Sequence, residues 1–251
     1  MVDFCIASDQ GKFRKENQDR AIVVNGEYWT LVALCDGMGG HVGGSQCSTL
    51  STNSIKQYFL DTFPQKLECG DKKNVSKWFN NAISFIKEAL VNYAKEYTEF
   101  EDMGTTMVVA LIFNANGLAY VFNIGDSRLY AYNGLLYQIT EDQNYLYQLM
   151  REFNLTYEEA ALDPNSYKLI SCLGPNKKTN CQSFFISQKS AVKYYLLTSD
   201  GLHDYVSKPI IETVLQTNKS LKDKLNLLIK YAKKNLSKDN ITGILVGLKN
   251  E

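Results

Sequence analysis

Apolar and polar positions along this chain fall into two regimes. Short, nearly uninterrupted apolar runs predict strands at Phe4 to Ser8, Ala21 to Val24, Tyr28 to Cys35, Thr105 to Phe113, Leu118 to Ile124, Arg128 to Tyr132, Val192 to Thr198 and Ile241 to Leu248. Several are apolar on both faces, so both sides of the sheet layer must be covered. Helices supply that cover. Trp78, Phe79, Ala82, Ile83, Ile86, Leu90 and Tyr93 recur at steps of three and four, as do Leu221, Leu225, Leu228, Ile229 and Ala232 behind a Ser220-x-x-Asp223 capping signal. A third helix is expected after the Gly43-Gly44 pair. Strands, two helices, strands, helices and a final strand predict an α+β layered sandwich rather than regular βαβ alternation.

Carboxylates stand beside these runs. Leu31 to Cys35 runs into Asp36, Leu118 to Ile124 leads to Asp126, Tyr194 to Leu197 leads to Asp200, and Asp239 just precedes Ile241. Acids at strand ends are a way to build a site for a hard metal. Two unit charges about 4 Å apart repel by roughly 4 kcal/mol at an effective dielectric near 20, so converging aspartates need divalent cations to share a dry pocket. An all-oxygen donor set selects magnesium or manganese over zinc.

Composition narrows the classes. At 251 residues and 45% hydrophobic, the chain can bury a large core as one unit. Lysine plus arginine equals aspartate plus glutamate at 27 each, which leaves no global basic field for nucleic acid or an anionic membrane. The longest fully apolar stretch, Met107 to Phe113, is too short to span a bilayer, and the N-terminus has an early Asp3 and no basic n-region. A soluble cytoplasmic protein is expected, with no sensor or anchor after the last strand. The cysteines (Cys5, Cys35, Cys47, Cys69, Cys172, Cys181) form no Cys-x-x-Cys pair, which fits reduced thiols and argues against zinc.

Arg14-x-x-Asn17-Gln18-Asp19, Asp36-Gly37-Met38-Gly39-Gly40-His41-x-x-Gly44, Gly104-Thr105-Thr106, Gly125-Asp126-Ser127-Arg128, Thr140-x-Asp142, Ser199-Asp200-Gly201-Leu202 and Asp239-Asn240-x-Thr242 occur in this order. Together they resemble the signature series of the metal-dependent protein phosphatases (PPM, type 2C), and Met38 resembles the bacterial branch. The resemblance implies a four-layer α-β-β-α sandwich, two antiparallel sheets flanked by helices, as one domain over residues 1–251 with a flap around 144–174. It implies a protein serine/threonine phosphatase that hydrolyses phosphoserine and phosphothreonine by direct attack of a metal-activated water. The cofactors would be two Mn2+ or Mg2+ ions, with room for a third, weaker one. The partners would be phosphorylated substrates of a serine/threonine kinase, met as a monomer, with no nucleic acid or membrane.

Residue roles follow from matching positions. Asp36 would bridge both metals and Gly37 would offer its carbonyl, where a lone Asp-Gly would be a turn. Asp200 and Asp239 would be the ligands of the first metal, and Asp19 would act from the outer shell. Asp126 ranks below them, because a structural hydrogen bond to Arg128 is its alternative. Arg14 would clamp the phosphate, with Lys12 and Lys15 beside it. His41 is a candidate acid for the leaving oxygen, or that proton comes from water; His203 is expected to pack beside the Asp200 loop. Gln143 stands where the family commonly has histidine, so a supporting contact made by that histidine is absent or replaced. Tyr145, Tyr147, Tyr157 and Tyr167 of the flap are expected to help choose the substrate backbone. A catalytically silent phosphoprotein binder and a small-molecule phosphohydrolase remain as alternatives.

Overall fold

The computed structural model describes residues 2–38 and 43–248. In chain order its strands and helices begin with β1 (Asp3–Asp9), β2 (Asp19–Asn25), β3 (Trp29–Met38), α1 (Gly43–Thr62) and α2 (Lys72–Glu96). There follow β4 (Gly104–Thr105), β5 (Met107–Phe113), β6 (Ala119–Ile124), β7 (Arg128–Tyr132), β8 (Leu136–Gln138), α3 (Tyr145–Phe153) and α4 (Tyr157–Ala160). The rest is β9 (Gln182–Ile186), β10 (Tyr194–Thr198), α5 (Asp200–His203), α6 (Lys208–Gln216), α7 (Leu221–Lys234) and β11 (Ile241–Gly247). One sheet runs β1-β11-β10-β7-β8 and the other β2-β3-β5-β6-β9, with β4 paired to β3. Every strand pairing is antiparallel.

Side-chain alternation along the strands generates three apolar interfaces and hence four layers. Leu31, Ala33, Val109 and Leu111 point outward against Ile55 and Phe59 of α1 and Phe79, Ala82 and Ile86 of α2. Their strand neighbours Val32, Leu34, Val108 and Ala110 point the other way, meeting Leu129, Tyr195, Leu197, Ile244 and Val246 between the sheets. Leu196 and Leu245 face the far side, where Leu202, Ile211, Val214, Leu225 and Leu228 close the second helical layer. This double burial is why β3 and β5 read as continuous apolar runs.

Local signals place the helices as expected. Ser220 Oγ accepts the Asp223 amide at 3.1 Å and caps α7. In α2 the periodic set Val75, Trp78, Phe79, Ala82, Ile86 and Leu90 is the buried face. Three details differ from the expectation. The expected strand from Thr105 divides at Thr106 into β4 and β5, because Thr105 turns aside to bridge Leu173. Edge strand β9, whose apolar run is only Phe184 to Ile186, and the three-residue β8 are too short to stand out. The segment 144–174 carries α3 and α4, packed by Leu146, Leu149 and Ala160 into a small core of their own. Among the described residues no helix is long and apolar enough to cross a membrane.

Candidate metal centre

Antiparallel registry brings the first acids together. The β2–β3 register sets Asp19 opposite Asp36. Asp36 is clamped through its backbone: its amide donates to Thr106 Oγ1 at 2.9 Å and its carbonyl accepts the Thr105 hydroxyl at 2.8 Å. Thr106 Oγ1 also lies 2.7 Å from Ser127 Oγ, so one hydroxyl pair couples Asp36 to the turn that carries Asp126. That turn needs Gly125, whose φ of +99° is joined by a Thr106 methyl sitting 2.7 Å from where a Cβ would stand.

The opposite wall comes from the other sheet. Asp200 is the first residue of α5, immediately past β10, and Asp239 lies just before β11. Ser199 ties these ends across the sheets: its hydroxyl donates to Asp19 Oδ2 at 2.8 Å and accepts the Thr242 amide at 3.0 Å. Asn240 straps down the β1–β2 loop. Its side chain accepts the Gln18 amide at 2.9 Å and donates to the carbonyls of Gln10 and Glu16 at 2.8 and 2.9 Å. The result is a cavity of about 940 Å³ whose lining includes Arg14, Asp36, Gly37, Asp126, Asp200 and Asp239. Asp19 is 3% exposed beneath it.

The field in this pocket is strongly acidic. Burial, then Asp19, Asp200, Asp239 and Asp126, hold the Asp36 carboxyl well above the usual carboxylate range. Burial, then Asp126 and Asp239, do the same to Asp200. Burial pushes Asp19 up to about 6 despite its hydroxyl donors, and burial with Asp142 nearby pushes Asp126 up to about 7. Arg14 answers this field: its guanidinium hydrogen-bonds Asp239 Oδ2, and Asp239, Asp200 and Asp36 raise its proton affinity.

Cations fit these residues on two observations. Among the described residues Asp19 Oδ1 and Asp200 Oδ1 are buried and find no hydrogen-bond partner, which is costly for acceptors unless a cation or an ordered donor meets them. The donors are all oxygen, the chemistry of magnesium and manganese. A Cβ on Gly37 would stand 2.2 Å from the Gly44 carbonyl oxygen, so only glycine lets the β3 end run this close to α1. Among the described residues no three His, Cys, Asp or Glu side chains close on one point as a finished ligand cage. They line a common pocket instead, as mutually repelling carboxylates should.

Several sequence expectations change. Arg128 does not bond Asp126; its Nε and Nη2 grip Asp142 at 2.9 and 2.6 Å, and Asp126 keeps only a 3.4 Å contact from Asn144. The fork geometry of guanidinium and carboxylate explains the preference. Asp142→Ala should therefore strand a largely buried cation and cost about 3–5 kcal/mol, read as a lower urea midpoint. Gln143 supplies a double contact, accepting the Gly125 amide at 2.8 Å and donating to the Asn180 carbonyl at 3.0 Å. Of the four flap tyrosines only Tyr167 lines the pocket, joined by Lys168 and Leu169; Tyr145 and Tyr147 pack onto the small α3–α4 core. Lys15 lines the pocket, whereas Lys12 turns to a separate cleft. His203 is buried against Thr198 Oγ1 at 2.8 Å, and burial holds it well below the usual histidine range, hence neutral. His41 lies outside the described residues. The straps made by Ser199, Asn240 and the Thr106–Ser127 pair were not legible as roles, since only a hydroxyl or amide next to each acid hints at them.

The serine/threonine phosphatase Stp of Listeria welshimeri is 29% identical over 241 residues, covering 95% of this chain and 93% of its own. The crystal structure of the serine/threonine phosphatase Stp1 from Staphylococcus aureus superposes with a TM-score of 0.88 at 32% identity, over 100% of this chain and 96% of its own. The catalytic domain of the serine/threonine protein phosphatase PstP, solved in complex with 2 manganese ions, gives a TM-score of 0.79 at 27% identity over 99% of both chains. A profile described as protein phosphatase 2C matches residues 13–245, which takes in every acid of the pocket, and the chain belongs to that family.

Proposed function

We propose that this pocket hydrolyses phosphoserine and phosphothreonine esters on proteins phosphorylated by a serine/threonine kinase. Asp36, Asp200, Asp239 and the Gly37 carbonyl would hold two divalent ions, manganese or magnesium, and Asp126 is the candidate for a third. The observation that carries the reading is the pairing of uncompensated buried carboxylate oxygens on the floor with a guanidinium at the rim. The manganese bound by PstP supports the choice of metal. When bound, such ions supply Lewis-acid activation of water and neutralise charge on the phosphoryl oxygens.

The chain's own residues do the rest. Arg14, with 51% of its side chain exposed, can swing from Asp239 to two phosphate oxygens and fix the ester for in-line attack. Asp19, locked by Ser199, keeps its second oxygen free to accept a proton-bearing water and orient it. Tyr167, Lys168 and Leu169 stand where polypeptide flanking the phosphorylated residue would lie. The described residues hold six free cysteines, which fits a reducing compartment, and we place the activity in the cytoplasm.

The direct test is release of phosphate from a phosphothreonine peptide with manganese and with chelator. Equal rates in the two would exclude the mechanism. Arg14→Ala should lower kcat/KM roughly 10- to 100-fold, the worth of a charged hydrogen bond to phosphate, and Arg14→Lys should restore only part of it. Turnover of nucleotides and sugar phosphates above that of phosphopeptides would instead make it a metabolite phosphohydrolase.

A further inference from the structure

The chain is neutral overall, yet residues 219–238 hold seven lysines against the single acid Asp223. α7, which carries most of them, buries Leu225, Leu228 and Ile229 in the second helical layer. Apart from the buried Lys224, its lysines therefore look outward. Lys230, Lys233 and Lys234 line a cleft of about 450 Å³ whose other wall is Lys12 and Asp9. Lys233 is engaged with Asp9 at 2.6 Å. Among the described residues Lys12, Lys230 and Lys234 make no ion pair. Lys12 precedes Arg14 by two residues on the loop strapped by Asn240, and two residues reach at most about 7 Å. The cleft thus opens beside the acidic pocket.

We propose that this cleft is a docking site for an acidic segment of the phosphoprotein substrate, a run of aspartate and glutamate a few residues from the phosphorylated side chain. The inference rests on the phosphatase reading for what the peptide is, and on charge and geometry for where it lies. Lysines 230 and 234 stand one helical turn apart, about 6 Å along the axis, and Lys12 faces them from the opposite wall. That spread matches two or three residues of extended peptide at about 3.3 Å each. Lysine ammonium groups are compact, mobile point charges rather than planar forks, so dispersed lysines suit several carboxylates better than one phosphate held bidentately. A lipid surface is disfavoured because the apolar face of α7 is already packed and cannot insert. The pocket floor would repel an anionic chain, and the lysines offset that repulsion where the chain approaches Arg14.

The test compares the parent with Lys230→Gln/Lys234→Gln, a change of two exposed side chains. With manganese, the parent should favour a phosphothreonine peptide flanked by Asp and Glu over the same peptide flanked by Asn and Gln, through KM. The variant should raise KM for the acidic peptide roughly threefold to tenfold. Its kcat, its KM for the neutral peptide and its hydrolysis of p-nitrophenyl phosphate should not change. Equal KM for the two peptides in the parent, or no effect of the variant, overturns the docking site while the phosphatase reading stands. Should no phosphoester turn over, that reading fails, and fluorescence anisotropy of a labelled, unphosphorylated acidic peptide still decides about the cleft. Weakening by a similar factor in the variant supports it; unchanged affinity, or binding of phosphatidylserine vesicles as the only property lost, overturns it.

Discussion

Asp200→Asn is expected to lower manganese-supported turnover of a phosphothreonine peptide by about two orders of magnitude or more, and yet to stabilise the metal-free protein. Both effects come from one carboxylate. Asp200 is buried among Asp126, Asp239 and Asp204, its carboxyl sits well above the usual range, and its Oδ1 finds no partner among the described residues. Asparagine keeps the shape and removes the charge. A carboxyl raised in the folded state favours folding below its unfolded value, and that contribution is lost as pH rises through the folded value. With Asp19 at about 6 and Asp126 at about 7 against an ordinary 3.8, chelator-treated protein should therefore lose stability between about pH 4 and pH 7. Each pKa unit is about 1.4 kcal/mol, so the slope integrates to at most about 7 kcal/mol, and the Asp200→Asn change should flatten it. Thermal melts in chelator at pH 5 and pH 8, and again with manganese, read both arms. A variant whose melting point still climbs with manganese as the parent's does would remove Asp200 from the proposed ligands.

Gly201→Ala should be nearly as damaging to activity and clearly worse for stability. A Cβ at Gly201 would stand 2.0 Å from the Asn240 carbonyl oxygen and 3.2 Å from Asp239 Cβ. Neither neighbour can yield cheaply, because Asn240 anchors the Arg14 loop and leads into the central strand β11. The methyl group acts as a wedge between the two acids that the pocket needs side by side. Overpacking of this kind costs about 1–3 kcal/mol, and a shift of about 1 Å in a reacting group can cost on the order of 100-fold in rate. A lower urea midpoint together with weaker manganese activation is the expected pair of results. A stable variant with parental metal response would mean that the close approach is not what sets the spacing of Asp200 and Asp239.

The layers were legible because burial on both faces leaves an unmistakable apolar run, as in Leu31 to Cys35, and because α2 and α7 carry clean periodicity. β9 escaped because its apolar run is only three residues long, and α6 had only Pro209 at its start and a short apolar face to mark it. The acids of the pocket could be picked out by their place at strand ends and by family resemblance. What surrounds them could not. That Arg128 prefers Asp142 to Asp126, or that Arg14 rests on Asp239, depends on distances set by tertiary packing and not by spacing along the chain. Gln143 shows the same limit: the sequence left open whether the histidine's contact is absent or replaced, and the structure has the glutamine amide bridging Gly125 and Asn180.

In the first sheet β11 lies between β1 and β10. Among the described residues the ladder partner of the opening strand β1 is therefore the closing one, residues 241–247. Asp239 lies just before that closing strand, along with Asn240 and its hold on the Arg14 loop. The β5–β6 pair, by contrast, is built from strands close in sequence, whose pairing is local and entropically cheap. A chain that ends before Asp239, just short of β11, cannot assemble the full set of acids that line the pocket.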